Sequence, residues 1–174
     1  MDRISGDPKH YIERLKALVA RRGIALEYLD WIDGAEGSSS KGRIALRTGL
    51  DPANEFAVLA HELAHSMLHF GNEPRLENKA VLETEAEAVA FVVCQAIHLE
   101  TGSACSDYIQ LHAGTKRTLA ASLGRIQRTA ATIIEDVPGH RVYFSLTGAA
   151  GSWALIPELA TGTVGPLNAM LRLE

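Results

Sequence analysis

Two histidines four residues apart, on a segment that otherwise reads as a buried helix, constrain this chain more than any other feature. They stand in His61-Glu62-Leu63-Ala64-His65. On a helix, positions i and i+4 share a face about one turn apart, so both imidazoles reach the same point in space. The flanking residues predict that helix over Ala53 to His69: Asp51 caps it, Pro52 suits its first turn, and Gly71 stands where a C-terminal stop belongs. Phe56, Leu59, Ala60, Leu63, Ala64, Met67 and Leu68 form an apolar stripe broad enough to bury it. Two imidazoles and a carboxylate in such a place are costly unless they are hydrogen-bonded or hold a metal.

The pentapeptide is the H-E-x-x-H pattern with which a helix holds zinc, the glutamate standing close enough to take a proton from a water at the metal. By chance the pattern arises in on the order of a few per cent of shuffled sequences of this kind, so its surroundings have to carry the argument. A catalytic zinc takes three protein ligands and leaves one position open, and the next predicted helix, Ala80 to Leu99, offers the third. It contains Glu83, Glu85 and Glu87. Glu83 and Glu87 share a face that continues through Ala90, Phe91 and Cys94, so they are expected to point inward. Two like charges at i and i+4 destabilise a helix unless a cation lies between them. A zinc bound by His61, His65 and Glu83, with Glu87 accepting from a ligand imidazole, removes that strain. The residues alone leave open whether Glu83 or Glu87 is the direct ligand. Glu85, on the opposite side, and Glu77 are expected on a solvated acidic face.

The two helices together resemble the ImmA/IrrE family of metallopeptidases and the related peptidase domain of ArdC-type antirestriction proteins. The resemblance lies in Leu59-Ala60-His61-Glu62-Leu63-Ala64-His65 followed by Glu83-x-x-Ala86-Glu87-x-x-Ala90, where Glu87 replaces the usual asparagine or aspartate. Gly42 to Arg47 and Ser106 to Ile109 are similar as well, and the likeness extends over about residues 10 to 136. It implies a zincin-like α+β fold, mostly helical, with a small sheet beside the metal helix. It also implies His61, His65 and Glu83 as zinc ligands, Glu62 as catalytic base, and hydrolysis of peptide bonds in a specific protein partner such as a transcriptional repressor. The antirestriction relatives imply an alternative, a binding or antirestriction module of a mobile element with a structural or vestigial metal site. Manganese in place of zinc is compatible with the same ligands.

For the oxyanion of such a hydrolysis a donor is needed besides the metal, and Tyr108, His69 and His112 are the candidates, with Tyr108 preferred. Composition fits one compact enzyme domain. The 174 residues are 47% hydrophobic and carry a net charge of −4, so no basic footprint points to nucleic acid. The basic clusters Arg21-Arg22 and Lys116-Arg117, with Arg125 and Arg128, are expected on solvated helix faces. No stretch approaches the roughly 20 apolar residues of a membrane span. With two cysteines, Cys94 in the core and Cys105 near a helix start, a disulfide framework is excluded and a cytoplasmic location is expected.

Along the chain, Pro8 to Arg22 predicts a helix stopped by Gly23, and Ile24 to Leu29 a strand. A Gly/Ser loop from Asp33 to Lys41 leads to a second strand, Arg43 to Arg47, which is either an ordinary strand or one with an edge open to an extended peptide. Asn72 to Asn78 is a polar loop bordering the cleft, Ala104 to His112 a short helix, and Lys116 to Glu135 a long one. Beyond residue 136 glycines and prolines break the pattern into short pieces: strands at Arg141 to Leu146 and Trp153 to Ile156, then a turn of helix at Asn168 to Leu173. This segment, 137–174, is expected to pack on the same domain, with Trp153 available for a contact.

Overall fold

The structure, a computed structural model, describes residues 4–70, 79–101, 116–136, 143–146 and 153–156. Over these residues the fold is α+β. In chain order come α1 (Tyr11–Arg21), β1 (Ala25–Leu29), β2 (Gly37–Ser40), β3 (Arg43–Arg47), α2 (Pro52–Leu68), α3 (Lys79–Ala96), α4 (Lys116–Glu135), β4 (Tyr143–Leu146) and β5 (Trp153–Ile156). The chain divides into two compact units, Met1–His140 and Arg141–Glu174. In the second, β4 and β5 pair antiparallel, Tyr143 opposite Ile156 and Leu146 opposite Trp153.

Helix ends follow local chemistry. α1 closes on Gly23 at φ 69, with Ile24 N–H bonded to the Val19 carbonyl and Gly23 N–H to that of Ala20, the paired bonds of a left-handed C-terminal cap. Asp51 caps α2 as expected, its carboxylate accepting from Asn54 N–H at 3.1 Å, with Pro52 in the first turn. α3 ends earlier than the predicted Leu99. His98 takes the left-handed position at φ 63, while Leu99 N–H and His98 N–H bond back to Cys94 and Gln95.

The sheet of the first unit has the order β1-β3-β2, with β1 parallel and β2 antiparallel to β3. This overturns the expected open edge on β3, which is paired on both sides. Ile44, Ala45 and Leu46 are buried in succession, and since neighbouring strand residues point to opposite faces, both faces of β3 are covered. The edges belong to β1 and β2, and the composition hides the second: Gly37-Ser38-Ser39-Ser40 has no apolar residue to announce a strand. Its pairing comes instead from the turn at Lys41-Gly42, where Gly42 has φ 78, and from β3.

The core gathers Leu15, Leu18 and Val19 of α1, the β3 residues, Phe56, Leu59, Ala60, Leu63 and Ala64 of α2, Ala86, Val89, Ala90, Val93 and Cys94 of α3, and Ile126, Ala130, Ile133 and Ile134 of α4. α3 lies between α2 and α4. Each of its sides therefore meets a different helix, and that decides what its three glutamates do. Among the described residues no helix is long and apolar enough to cross a membrane.

Candidate metal centre

The α2 spacing brings the two rings together as expected: His61 Nε2 and His65 Nε2 are 3.1 Å apart. Their side chains are only 16% and 13% exposed. Glu83 of α3 completes the group, its Oε2 lying 3.4 Å from His61 Nε2 and 3.3 Å from His65 Nε2. Among the described residues these three form the cluster whose ligand-type atoms come close enough to share one ion.

The three separations are nearly equal. Ligands at about 2.0–2.1 Å from a tetrahedral zinc stand about 3.3 Å from one another. Two imidazole nitrogens and one carboxylate oxygen at 3.1, 3.3 and 3.4 Å thus have the spacing of three corners of such a tetrahedron. Glu83 is half exposed, at 49%, so the group lies at the protein surface on its side.

Glu87 stands behind His61. Its Oε2 is 3.2 Å from His61 Nδ1, although the ring N–H does not point along a proper hydrogen bond to it. The alternative between the two glutamates thus falls to Glu83 for contact with both Nε2 atoms and to Glu87 for the far side of one ring. Electrostatically the two rings differ. Burial lowers the pKa of His61, but Glu87, Glu62 and Glu83 outweigh it and the net direction is upward. His65 is lowered to about 4 by burial and then by the neighbouring His61. His65 is accordingly neutral at ordinary pH, the state a ligand needs.

Glu62 is buried, 7% exposed, and lies under β2. The Ser39 hydroxyl donates to its Oε2 at 2.6 Å. Burial raises the Glu62 pKa; Ser39 and His61 pull it back, Glu83 adds to the rise, and the net shift is upward. Gly37, two residues before Ser39 and so on the same face of β2, explains how the strand comes this close. A Cβ there would stand 2.6 Å from Val58 Cγ1 and 2.9 Å from both Glu62 Cγ and Oε1. Gly37→Ala is therefore expected to cost about 1–3 kcal/mol through overpacking. Denaturant unfolding of the two proteins measures it, and an unchanged midpoint would contradict the close approach.

Three expectations fail here. Glu85 is not on a solvated face: it is fully buried, because α3 has α4 on that side. Its Oε2 lies 3.2 Å from His69 Nε2, and its Oε1 accepts from Ser122 Oγ at 2.7 Å and from Arg125 Nη2. Arg125 is accordingly no free solvated cation. His69 does not face the site as an oxyanion donor. Its ring is 4% exposed and sits behind His65, with the two Nδ1 atoms 2.8 Å apart. Cys94 is core as expected, its thiol pushed up to about 12 by burial and then by Glu87, and hence unreactive. Tyr108, His112, Cys105, Glu77, Gly71 and the loop Asn72 to Asn78 lie outside the described residues, as does Asn168 to Leu173.

Ser39, Glu85, Ser122 and Arg125 carry no motif that would have marked them. His69 did leave a trace: it extends His61 and His65 to an i, i+4, i+8 series on one face.

Over 131 residues the chain is 28% identical to an uncharacterized protein of Bacillus anthracis, a match that covers 72% of this chain. It covers 22% of the other protein, so the chain spans about a fifth of the length of the curated relative it matches. No family model matches the chain, and no solved structure does.

Proposed function

We propose that this chain is a zinc-dependent metallopeptidase with a zincin-like fold, hydrolysing peptide bonds in a specific protein partner. The observation that carries this reading is the near-equilateral triangle of His61 Nε2, His65 Nε2 and Glu83 Oε2 with the buried carboxylate of Glu62 next to it in sequence on α2. Three protein ligands leave a fourth position for water or substrate, as hydrolytic sites do.

When bound, zinc supplies Lewis acidity, activating a water and polarising the carbonyl to be attacked. The rest falls to the protein. The Ser39 hydroxyl holds Glu62 Oε2 and so orients the carboxylate that receives the water's proton. The upward shift of the Glu62 pKa makes it a better base near neutral pH than an exposed glutamate. Glu87 lies 3.2 Å from His61 Nδ1, where its charge favours a proton on that nitrogen and leaves Nε2 to the metal. β2, an edge strand against α2, offers main-chain groups to which an extended peptide can add. Tyr108 remains the proposed oxyanion donor on its sequence position, and a transcriptional regulator the proposed partner on the resemblance to ImmA/IrrE proteins.

The test is metal analysis of the purified protein together with labelling of new N-termini after incubation with a cell extract. One equivalent of zinc and a small set of cleavages, abolished by a chelator and restored by zinc, are expected. Manganese in the purified protein would change the ion and keep the reading. Zinc closed off by four protein ligands, with no chelator-sensitive cleavage, would replace it with the mobile-element binding module.

A further inference from the structure

We infer that His69 and Glu85 are positioning residues for the metal centre, forming with Ser122 and Arg125 a hydrogen-bonded relay that runs from α4 through α3 to the back of His65. The inference rests on the zinc reading and adds residues that the H-E-x-x-H pattern does not contain.

Its basis is a continuous chain of short contacts. His65 Nδ1 and His69 Nδ1 are 2.8 Å apart, His69 Nε2 and Glu85 Oε2 are 3.2 Å apart, and Glu85 Oε1 accepts from Ser122 Oγ at 2.7 Å and from Arg125 Nη2. Only one set of proton positions satisfies all of these contacts when His65 Nε2 faces a metal. A ligating Nε2 carries no proton, so the neutral His65 ring has its N–H at Nδ1. That N–H donates to His69 Nδ1. His69 then carries its own proton at Nε2 and donates it to the Glu85 carboxylate, which is acceptor-only when ionised. Ser122 and Arg125 satisfy the other carboxylate oxygen, and the guanidinium offsets its buried charge.

Two consequences follow for His65. Its ring is held in one tautomer and one orientation, and the negative end of the relay raises its strength as a ligand. His61 is backed from the side by Glu87. The two ligand rings thus have separate supports, one a carboxylate nearby and the other a carboxylate one imidazole away.

The experiment measures zinc affinity of the full chain by competition with a chromophoric chelator, and the visible spectrum of the cobalt-substituted protein. His69→Leu is expected to weaken zinc by about 10–100-fold and to alter the cobalt spectrum. His69→Asn, whose Oδ1 can stand in for Nδ1 as acceptor from His65, is expected to recover part of that affinity. Glu85→Gln is expected to weaken zinc in the wild-type background and to have little further effect beside His69→Leu, since linked residues are non-additive. It also serves if His69→Leu does not fold. A side chain that merely fills space would change unfolding of the metal-free protein and leave the cobalt spectrum alone. Wild-type zinc affinity and cobalt spectrum in His69→Leu or Glu85→Gln, or equal losses in the leucine and asparagine variants, would overturn the relay while the zinc site stands. A wild-type chain that binds neither ion would overturn both.

Discussion

Glu62→Gln is expected to bind one equivalent of zinc and to hydrolyse its substrate about a hundredfold or more slowly than the wild type. Glutamine has the shape of glutamate, so it retains the contacts beneath Gly37 and can still accept from Ser39. Glu62 supplies no corner of the triangle, which leaves the metal in place. What is lost is the ability of the side chain to take a proton. The deficit should fall on kcat rather than KM, because proton transfer occurs only in the transition state. The pH profile gives a second readout. Glu62 must be ionised to act, and its pKa is raised from 4.5. Activity of the wild type should therefore climb as pH rises through that higher value, and the acidic limb should be missing from the residual activity of the variant. Full turnover by zinc-loaded Glu62→Gln would remove the base from the mechanism.

Zinc binding itself should collapse in His61→Ala and in Glu83→Ala. Each substitution takes away one corner of the 3.1, 3.3 and 3.4 Å triangle, and the loss should exceed the 10–100-fold typical of residues that only support a ligand. Thermal unfolding separates this from damage to the fold. At a thousand times its Kd, a ligand adds about 4.1 kcal/mol, which for a unit of this size is about 10 °C or more. The wild type should show that rise with zinc and the variants should not. Without zinc, Glu83→Ala should change stability little, since it relieves an i, i+4 pair of like charges and removes the exposed contacts of Glu83 with His61 and His65. Because metal and proton compete for His61, whose pKa is raised above 6.5, wild-type zinc affinity should fall as pH drops through that raised value. One equivalent of zinc retained by both alanine variants would mean that the ion binds elsewhere.

Much of this site was legible without coordinates because it depends on helix periodicity. His61, Glu62 and His65 sit within about one turn, Glu83 and Glu87 one turn apart, and the apolar stripe between the motif residues showed that α2 is buried. The same periodicity placed α4 over Lys116–Glu135, where Ile126, Ala130, Ile133 and Ile134 are buried. Glu85 shows where periodicity stops. It lies on the other side of α3 from Glu83, which reads as solvent only if one side of that helix is covered. With α4 on the second side, both faces meet protein, and Glu85 becomes the most buried of the three.

β2 marks a different limit. Three serines and a glycine have no preference for a strand, and the edge position given to β3 went to them because β3 was available to pair. Gly37 reads from the sequence as loop material. In the fold it is the residue whose missing side chain lets Ser39 reach Glu62.

The sequence by itself determined which residues can act together along one helix, because a rise of about 1.5 Å per residue and 3.6 residues per turn leave no choice about neighbours. Only the tertiary structure decided which helix faces which carboxylate, that Ser39 holds Glu62, and that Arg125, 40 residues beyond Glu85, closes the line behind His65. Those contacts depend on how separate elements pack, and packing is set by the whole core rather than by any local spacing.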